Sequence, residues 1–337
     1  MVSMSKKIRW GILSTANIGQ KKVIPAMQRG ELSTVTAIAS RDLSKAQAAA
    51  QALNIPTAYG SYEELLADPN IDAIYNPMPN HMHVPWTIKA MEAGKHVLCE
   101  KPIAMTLAEA ESLLAVRERT RVKVGEAFMV RLHPQWIRAR ALMDEGRIGE
   151  LRSVLGYFSY FNVNPANIRN QADIGGGALM DIGCYMVQAA RFGFGRKPER
   201  VVAAIDRDPE WKTDRLTSAI LDFGGPQAIF TCSTQMAPYQ RVHFIGTKGR
   251  IMLQIPVNAP PDKPTQIFID DGSDLGGAGV EVETFAVCDQ YTLQGDAFSR
   301  AILDDTKVPV PLEDAIQNMA VIEAVFRSAA SGQWEKP

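Results

Sequence analysis

The sequence predicts an α/β protein of two domains, the first built on a parallel sheet with helices on both faces and the second on a large, open, mostly antiparallel sheet. Three observations predict it. Up to about Gly125, short β-branched runs alternate with helical stretches, the pattern of a parallel sheet. Past Arg131-Leu132-His133-Pro134, strand follows strand through short turns such as Phe223-Gly224-Gly225-Pro226 and Gly246-Thr247-Lys248-Gly249. The 337 residues also exceed the size at which one core keeps growing. The expected domains are residues 1–125 and 126–337, with the last helices packing back on the first.

In the first domain the expected strands are Ile8–Leu13, Thr34–Ala39, Ala73–Tyr75, Val97–Cys99 and Val122–Val124. Between them lie helices at Ile18–Arg29, Ser44–Leu53, Val84–Ala93 and Leu107–Arg119. Their ends are marked: Ser61 with Glu64 and Thr106 with Glu109 fit capping boxes, Asp42 fits an N-cap, and Gly94 and Gly146 fit the position just past a helix. The second domain opens with a helix at Gln135–Glu145 and an aromatic strand at Ser153–Phe161. A glycine-rich helix follows from Gly175 to about Phe192, then strands around Val201–Ile205, Ser218–Phe223, Ala228–Ser233, Val242–Ile245, Ile251–Leu253, Ile267–Ile269 and Glu281–Phe285. Helices near Leu293–Asp304 and Leu312–Ser331 close the chain.

Thirty-six Lys and Arg against 37 Asp and Glu leave a formal charge of −1, and no basic run stands out, so neither nucleic acid nor an anionic membrane is an expected partner. A small molecule is. Met1 to Arg9 runs straight into a strand without an apolar signal core, and no apolar run approaches the roughly 18 residues of a membrane span. Cys99, Cys184, Cys232 and Cys288 form no Cys-x-x-Cys, which fits a reducing compartment; the expected location is the cytoplasm. His81-x-His83 lacks a nearby third ligand and is read as a hydrogen-bonding pair, so no metal is expected.

Four stretches carry the chemistry. Ala93-Gly94-Lys95-His96-Val97-Leu98-Cys99-Glu100-Lys101-Pro102 is a helix stop, a buried strand, then acid, base and proline. Ligands of parallel sheets sit beyond the carboxyl ends of the strands, which places Lys101 at that mouth. The Lys101-Pro102 bond is expected to be cis, because an X-Pro bond adopts that form at a cost of only about 0.5 to 1 kcal/mol. Between the first strand and helix, Ser14-Thr15-Ala16-Asn17-Ile18-Gly19 replaces the first two glycines of Gly-x-Gly-x-x-Gly by Ser14 and Ala16. It keeps the small side chains and helix N-terminal amides that a pyrophosphate needs. At the end of the second strand, where an NAD-selective site carries an acid, stand Ser40 and Arg41, with Lys45 a turn later; this chemistry suits the 2′-phosphate of NADP. In the glycine-rich helix Leu179, Ile182, Met186 and Ala189 form the core stripe, while Asp181, Tyr185 and Gln188 share another face.

Together these stretches, with Pro79-Asn80-His81-Met82-His83 and Gly146-Arg147-Ile148-Gly149, resemble the Gfo/Idh/MocA oxidoreductases from Ile8 to about Ser331. The resemblance implies an N-terminal Rossmann domain that binds dinucleotide and a C-terminal α/β domain whose open sheet binds substrate and mediates dimerisation. It implies that Glu100 and Lys101 flank the nicotinamide, that Pro79, Asn80, His83 and Arg131 lie along the cofactor path, and that Tyr185 occupies the proton-transfer position. Many members carry Asp-x-x-x-His in the helix; Asp181 and Tyr185 here are similar to the spelling of glucose-fructose and aldose-aldose oxidoreductases, NADP-dependent xylose dehydrogenases and dimeric dihydrodiol dehydrogenase. A phenol titrates near 10 and an imidazole near 6.5, so the tyrosine needs a cation. A unit charge about 5 Å away at an effective dielectric of about 20 is worth roughly 3 kcal/mol, which Lys101 would supply.

The expected activity is NADP-dependent oxidation at C1 of a cyclic sugar, with Lys101, Asp181 and Tyr185 catalytic and Arg169, Asn170, Asp181 and Tyr185 touching substrate. The aromatic strand Tyr157–Phe161 is a further candidate wall. Two alternatives stand beside it: a trans-dihydrodiol or dicarbonyl oxidoreductase, and a non-catalytic NADP-binding regulator.

Overall fold

The computed structural model describes residues 6–337. In chain order the first elements are β1 (Ile8–Leu13), α1 (Ile24–Gln28, entered through a wide turn at Gly19–Val23), β2 (Ser33–Ala39), α2 (Leu43–Ala52), β3 (Thr57–Tyr59), α3 (Tyr62–Ala67), β4 (Ala73–Asn76), α4 (His83–Glu92), β5 (His96–Cys99), α5 (Leu107–Thr120) and β6 (Val124–Glu126). Then follow α6 (Pro134–Asp144), β7 (Leu151–Phe161), α7 (Cys184–Phe194, continuing a wide turn at Leu179–Gly183), β8 (Arg200–Arg207), β9 (Asp214–Asp222), β10 (Gln227–Ser233), β11 (Gln235–Gly246), β12 (Arg250–Leu253), β13 (Thr265–Asp270), β14 (Val280–Phe285), α8 (Gln290–Leu303) and α9 (Leu312–Ser331). Among the described residues no helix is long and apolar enough to cross a membrane.

The chain divides into two compact units, one of residues up to Leu132 with Asp289–Ile316, the other of His133–Cys288 with Gln317–Pro337. The first unit holds a six-stranded sheet in the order β3-β2-β1-β4-β5-β6, every pair parallel. Its central strands are buried on both faces, with Trp10, Ile12, Leu13, Ile74 and Tyr75 all at 0% exposure, as a doubly covered parallel sheet requires. Gly11 is demanded by packing, since a Cβ there would lie 3.0–3.1 Å from Leu65, Ile71 and Ile74. The helix signals hold: Asp42 accepts from the amides of Ser44 and Lys45, Ser61 from Glu64 and Thr106 from Glu109. The return bonds of the two glutamates land one residue earlier than a standard box, on the amides of Gly60 and Met105.

Helix α8 belongs to this first unit because its inner face is bonded to the sheet. Trp10 Nε1 donates to Ser299 Oγ at 3.1 Å, and the Asp296 carboxylate accepts from the amides of Glu31 and Leu32 at 2.9 Å each, fixing the entry of β2. It starts at Gln290, three residues before the apolar pattern does, because Asp289 is its N-cap. The unit runs past Gly125 to Leu132, and β6 lies two residues beyond the expected Val122–Val124.

The second unit holds an eight-stranded sheet in the order β14-β13-β12-β11-β7-β10-β9-β8, antiparallel except between β10 and β7. One face is core, with Val154, Phe158, Phe230, Val242, Phe244, Ile251 and Leu253 between 0% and 5% exposed; the other leaves Leu155, Ile229 and Val282 at 38–46%. Strand β11 is three times the expected length, because Pro238 and a register shift between Gln235 and Tyr239 hide its first half from the alternating pattern.

Candidate active site

In the first unit the loop Ser14–Ile18 leaves the carboxyl end of β1. Ser14 takes a left-handed φ of 69°, the conformation that glycine gives cheaply, and its Oγ accepts the Ala16 amide at 3.3 Å, an internal bond that supports the turn. Gln20 Nε2 donates to the Thr15 carbonyl at 2.6 Å and ties the loop to the helix that follows. Small side chains, a tight turn and the unbonded amides of a first helical turn form a cradle that fits a pyrophosphate. At the end of β2, the Ser40 hydroxyl accepts the Asp42 amide at 3.2 Å and Arg41 is exposed. Asp42 is committed to the helix: besides the two amides its carboxylate accepts from Ser44 Oγ at 2.6 Å, and Lys45 Nζ lies 3.8 Å from it. With Asp42 so engaged, Ser40 and Arg41 leave a local donor set that fits a 2′-phosphate better than a bare ribose hydroxyl.

The segment after β5 is held by its backbone. The Lys101-Pro102 peptide is cis, as expected. His83, 1% exposed, lies between two carbonyl oxygens, Nδ1 2.7 Å from that of Pro102 and Nε2 2.7 Å from that of Met78. Glu126, 2% exposed at the end of β6, accepts the Ile103 amide at 2.8 Å. Tyr75 donates to Glu100 Oε1 at 2.6 Å, and the Lys101 amide lies 3.4 Å from Glu100 Oε2. Burial pushes the His83 pKa down to about 4 against the pull of the two carbonyls, with the Lys101 charge adding to the depression, so the ring is neutral near pH 7. The first half of the ten-residue motif is architecture: Lys95 Nζ donates to the carbonyls of Asp68 and Ile71 at 2.7 and 2.9 Å, and His96 Nδ1 accepts the Lys123 amide. Asn80 opens a short turn before α4 with Pro79 just ahead of it, and Arg131 Nη1 lies 3.7 Å from Asp314.

In the second unit the glycines form a loop ahead of the helix, which starts at Leu179. Gly175 and Gly177 have φ of 85° and 120°, and the Gly177 amide donates back to the Arg169 carbonyl at 2.8 Å. The first turn beyond presents Asp181, whose Oδ2 accepts from Tyr160 Oη at 2.6 Å and from Arg169 Nε at 2.8 Å. Burial, then the Asp181 charge, push the Tyr160 pKa far up; Asp181 raises that of Arg169. The trio is therefore a carboxylate between a neutral phenol and a guanidinium. One helical turn on, Tyr185 is 6% exposed, its ring centroid 6.3 Å from that of Phe158. The core stripe of Leu179, Ile182, Met186 and Ala189 is buried as expected, and Gln188 is buried as well, at 1%.

Two candidates are turned inward. His83, expected along the cofactor path, has a backbone carbonyl 2.7 Å from each ring nitrogen and, neutral, donates its single N–H to one of them. Asn170, expected as a substrate contact, is 3% exposed and donates Nδ2 to the carbonyls of Asn162 and Asn164, so it closes its own loop. Tyr75 and Glu126 were not singled out from the sequence, and Tyr160 only as part of an aromatic strand. A lone acid after the buried Val124-Gly125 was the one available sign for Glu126.

Residues 8–128 match the model of the GFO_IDH_MocA oxidoreductase family, NAD-binding Rossmann fold, and residues 136–252 match the GFO/IDH/MocA C-terminal domain. The chain is 48% identical over 329 residues to an uncharacterized oxidoreductase of Rhizobium meliloti, covering 97% of this chain and 98% of that one. It is 38% identical over 326 residues to a D-xylose 1-dehydrogenase (NADP(+)) of Haloferax volcanii, covering 96% and 98%. A 3-ketoreductase of Actinomadura kijaniata in complex with NADP and TDP-benzene superposes with a TM-score of 0.89 at 30% identity, covering 96% of this chain and 98% of that one.

Proposed function

The chain belongs to the Gfo/Idh/MocA oxidoreductases, and from that premise we propose that it is an NADP-dependent enzyme that moves hydride between the nicotinamide and C1 of a cyclic aldose such as xylose or glucose, giving the lactone in the oxidative direction. The observation that carries this reading is the Asp181 carboxylate, held by Tyr160 and Arg169 one helical turn from Tyr185. A fixed acceptor beside a phenol suits a substrate with adjacent hydroxyls, one losing its proton while its neighbour is held. The similarity to a xylose dehydrogenase supports the same class.

NADP, when bound, supplies the hydride acceptor. Ser14, Thr15, Ala16, Asn17 and Ile18 cradle its pyrophosphate, Ser40 and Arg41 take the 2′-phosphate with Lys45 nearby, and Pro79, Asn80, Glu100 and Arg131 complete the cofactor path. Tyr185 takes the proton of the C1 hydroxyl, Lys101 serves the nicotinamide end of the cofactor path, Asp181 accepts from the neighbouring hydroxyl, and Arg169 holds Asp181 through its Nε bond. The same reading extends to assembly: the sheet face with Leu155, Ile229 and Val282 exposed is where a second copy would dock.

The test is sugar-dependent NADPH formation, followed by absorbance, on the wild type and on Tyr185→Phe. The variant keeps the ring's packing, so melting temperature and NADP affinity stay while kcat falls about 10²- to 10⁴-fold; near wild-type turnover overturns the mechanism. Turnover of aromatic trans-diols with none of aldoses replaces the sugar by the diol. Arg41→Asp should lose on the order of 1.5 to 3 kcal/mol of NADP binding and gain NAD, and unchanged NADP affinity refutes the cofactor assignment.

A further inference from the structure

The glycine loop and the helix start that carries Asp181 and Tyr185 are joined to the sheet by one buried acid outside the motif. Asp214, the first residue of β9, is 1% exposed. Its Oδ2 accepts the Leu179 amide at 2.6 Å and the Thr217 hydroxyl at 3.0 Å. Its Oδ1 occupies the space beside Gly177 where any Cβ would collide with it, at a backbone φ of 120° that side chains avoid. A carboxylate 35 residues away in sequence therefore does what an N-cap residue does locally, satisfying a first-turn amide and meeting the positive end of the helix. Position 178, the local N-cap, is an alanine and supplies no side-chain bond.

We propose that Asp214 is a positioning residue for the reaction: it fixes the Gly177–Leu179 corner, and through it the placement of Asp181 and Tyr185 one and two turns on. This rests on the reading of Tyr185 and Asp181 given above. The geometry is a chain of short links, since the Gly177 amide is bonded to the Arg169 carbonyl, the Asp181 amide to the Gly177 carbonyl, and the Arg169 guanidinium to the Asp181 carboxylate. Moving the corner moves all three groups.

The charge state of this residue is within reach of ordinary pH. Burial pushes the Asp214 pKa up to about 6 against the Leu179 and Thr217 bonds and the Arg207 charge from β8. On β10, the buried Cys232 thiol is pushed well up by burial, with the Asp214 charge adding to it, and stays neutral. Oδ2 already takes two hydrogen bonds, so a proton on this acid goes to Oδ1 and Oδ2 still accepts the Leu179 amide. The corner is therefore held by the oxygen rather than by the charge, and it is the charged form that burial disfavours.

Two variants separate a positioning role from a structural one. Asp214→Ala and Asp214→Asn are compared with wild type in kcat against pH from 5 to 8, in NADP affinity, in melting temperature at pH 8, and in hydrogen exchange of the Leu179–Tyr185 amides. Expected for Asp214→Ala is a kcat at least tenfold lower with NADP affinity within twofold, and lost protection of those amides at every pH. The amide of Asp214→Asn still offers an oxygen to Leu179, so its kcat returns to within severalfold of wild type and the Leu179–Tyr185 amides keep their protection. An unchanged kcat in Asp214→Ala, or an Asp214→Asn as impaired as Asp214→Ala, overturns the proposal. Should Asp214→Ala fail to fold, Asp214→Asn decides alone: a kcat within severalfold of wild type supports the proposal, and a kcat more than tenfold lower in a folded protein refutes it. If the wild type turns over no aldose, the sugar reading has failed, and the exchange data still judge Asp214: protection of those amides lost in Asp214→Ala and kept in Asp214→Asn supports it, and protection unchanged in Asp214→Ala refutes it.

Discussion

Around Lys101 the protein grips backbone: His83 meets the carbonyl of Pro102 and Glu126 the amide of Ile103, both from buried positions. Around Asp181 it grips a side chain: Tyr160 and Arg169 converge on one carboxylate oxygen, and Arg169 is 41% exposed at its side chain. A backbone grip fixes where a residue's long side chain starts, as suits a lysine with four rotatable bonds. A side-chain grip fixes the functional atoms themselves, as suits a carboxylate that must meet one hydroxyl. Damage to the two should therefore register differently, the first in folding and the second in turnover.

Between the two grips, the larger effect on turnover is expected at Arg169. Arg169→Met removes one charge-assisted bond from Asp181, worth about 1.5 to 3 kcal/mol, so sugar kcat/KM should fall roughly 10- to 100-fold. The Arg169 side chain is 41% exposed, so the ion pair contributes little to folding, about 0 to 1 kcal/mol, and the melting temperature should barely move. Turnover and melting measured on one sample check both halves. A variant that loses stability and keeps its turnover would erase the distinction drawn between the two grips.

Glu126→Ala is the opposite case. It strands the Ile103 amide in the interior, at a cost of about 1 to 3 kcal/mol to folding. Denaturant unfolding should show that loss, with kcat reduced less than in Arg169→Met. An unchanged midpoint would mean that Ile103 is held by other means and that the backbone grip reduces to His83.

The two grips also differ in how far they could be read in advance. Lys101 was legible because ten contiguous residues, Ala93 to Pro102, carry a helix stop, a strand and the functional tip in a fixed frame. Within that frame the role of Lys95 was not, since its two carbonyl partners lie 27 and 24 residues back. The trio around Asp181 is spread over 21 residues from Tyr160, and a phenol in a strand reads as sheet packing until the helix is placed over it. Glu126 reaches Ile103 across 23 residues and two adjacent parallel strands. Five of the six parallel strands were legible because they are short, mostly apolar and separated by capped helices; β3 was not, since three half-buried residues, Thr57 to Tyr59, carry no pattern. The membership of α8 in the first unit was foreseen only in outline, because it depends on Asp296 and Ser299, polar residues that sequence periodicity treats as surface.

A smaller effect of pH distinguishes the units in folding rather than function. Each buries a histidine whose pKa burial lowers to about 4, His83 in the first and His133 in the second. A lowered histidine pKa means the unfolded chain binds the proton first, so each contributes stability that is present above pH 6.5 and lost as the pH falls toward 4, about 2 kcal/mol between pH 7 and 5. The second unit also has Asp214, whose pKa is raised to about 6. Its folded form prefers the proton, so it returns about 1 kcal/mol over the same interval. His96 and His243, lowered by burial, add one group of the same sign to each unit and do not alter the contrast. Acidification from pH 7 to 5 should thus weaken the first unit more than the second, by about 1 kcal/mol. Hydrogen exchange read separately over β1–β6 and over β7–β13 measures it. His83→Gln should flatten the first unit's dependence, and Asp214→Asn should steepen the second's until the two coincide. Equal losses in the wild type, with Asp214→Asn changing neither, would show that this carboxylate titrates alike in the folded and unfolded chain.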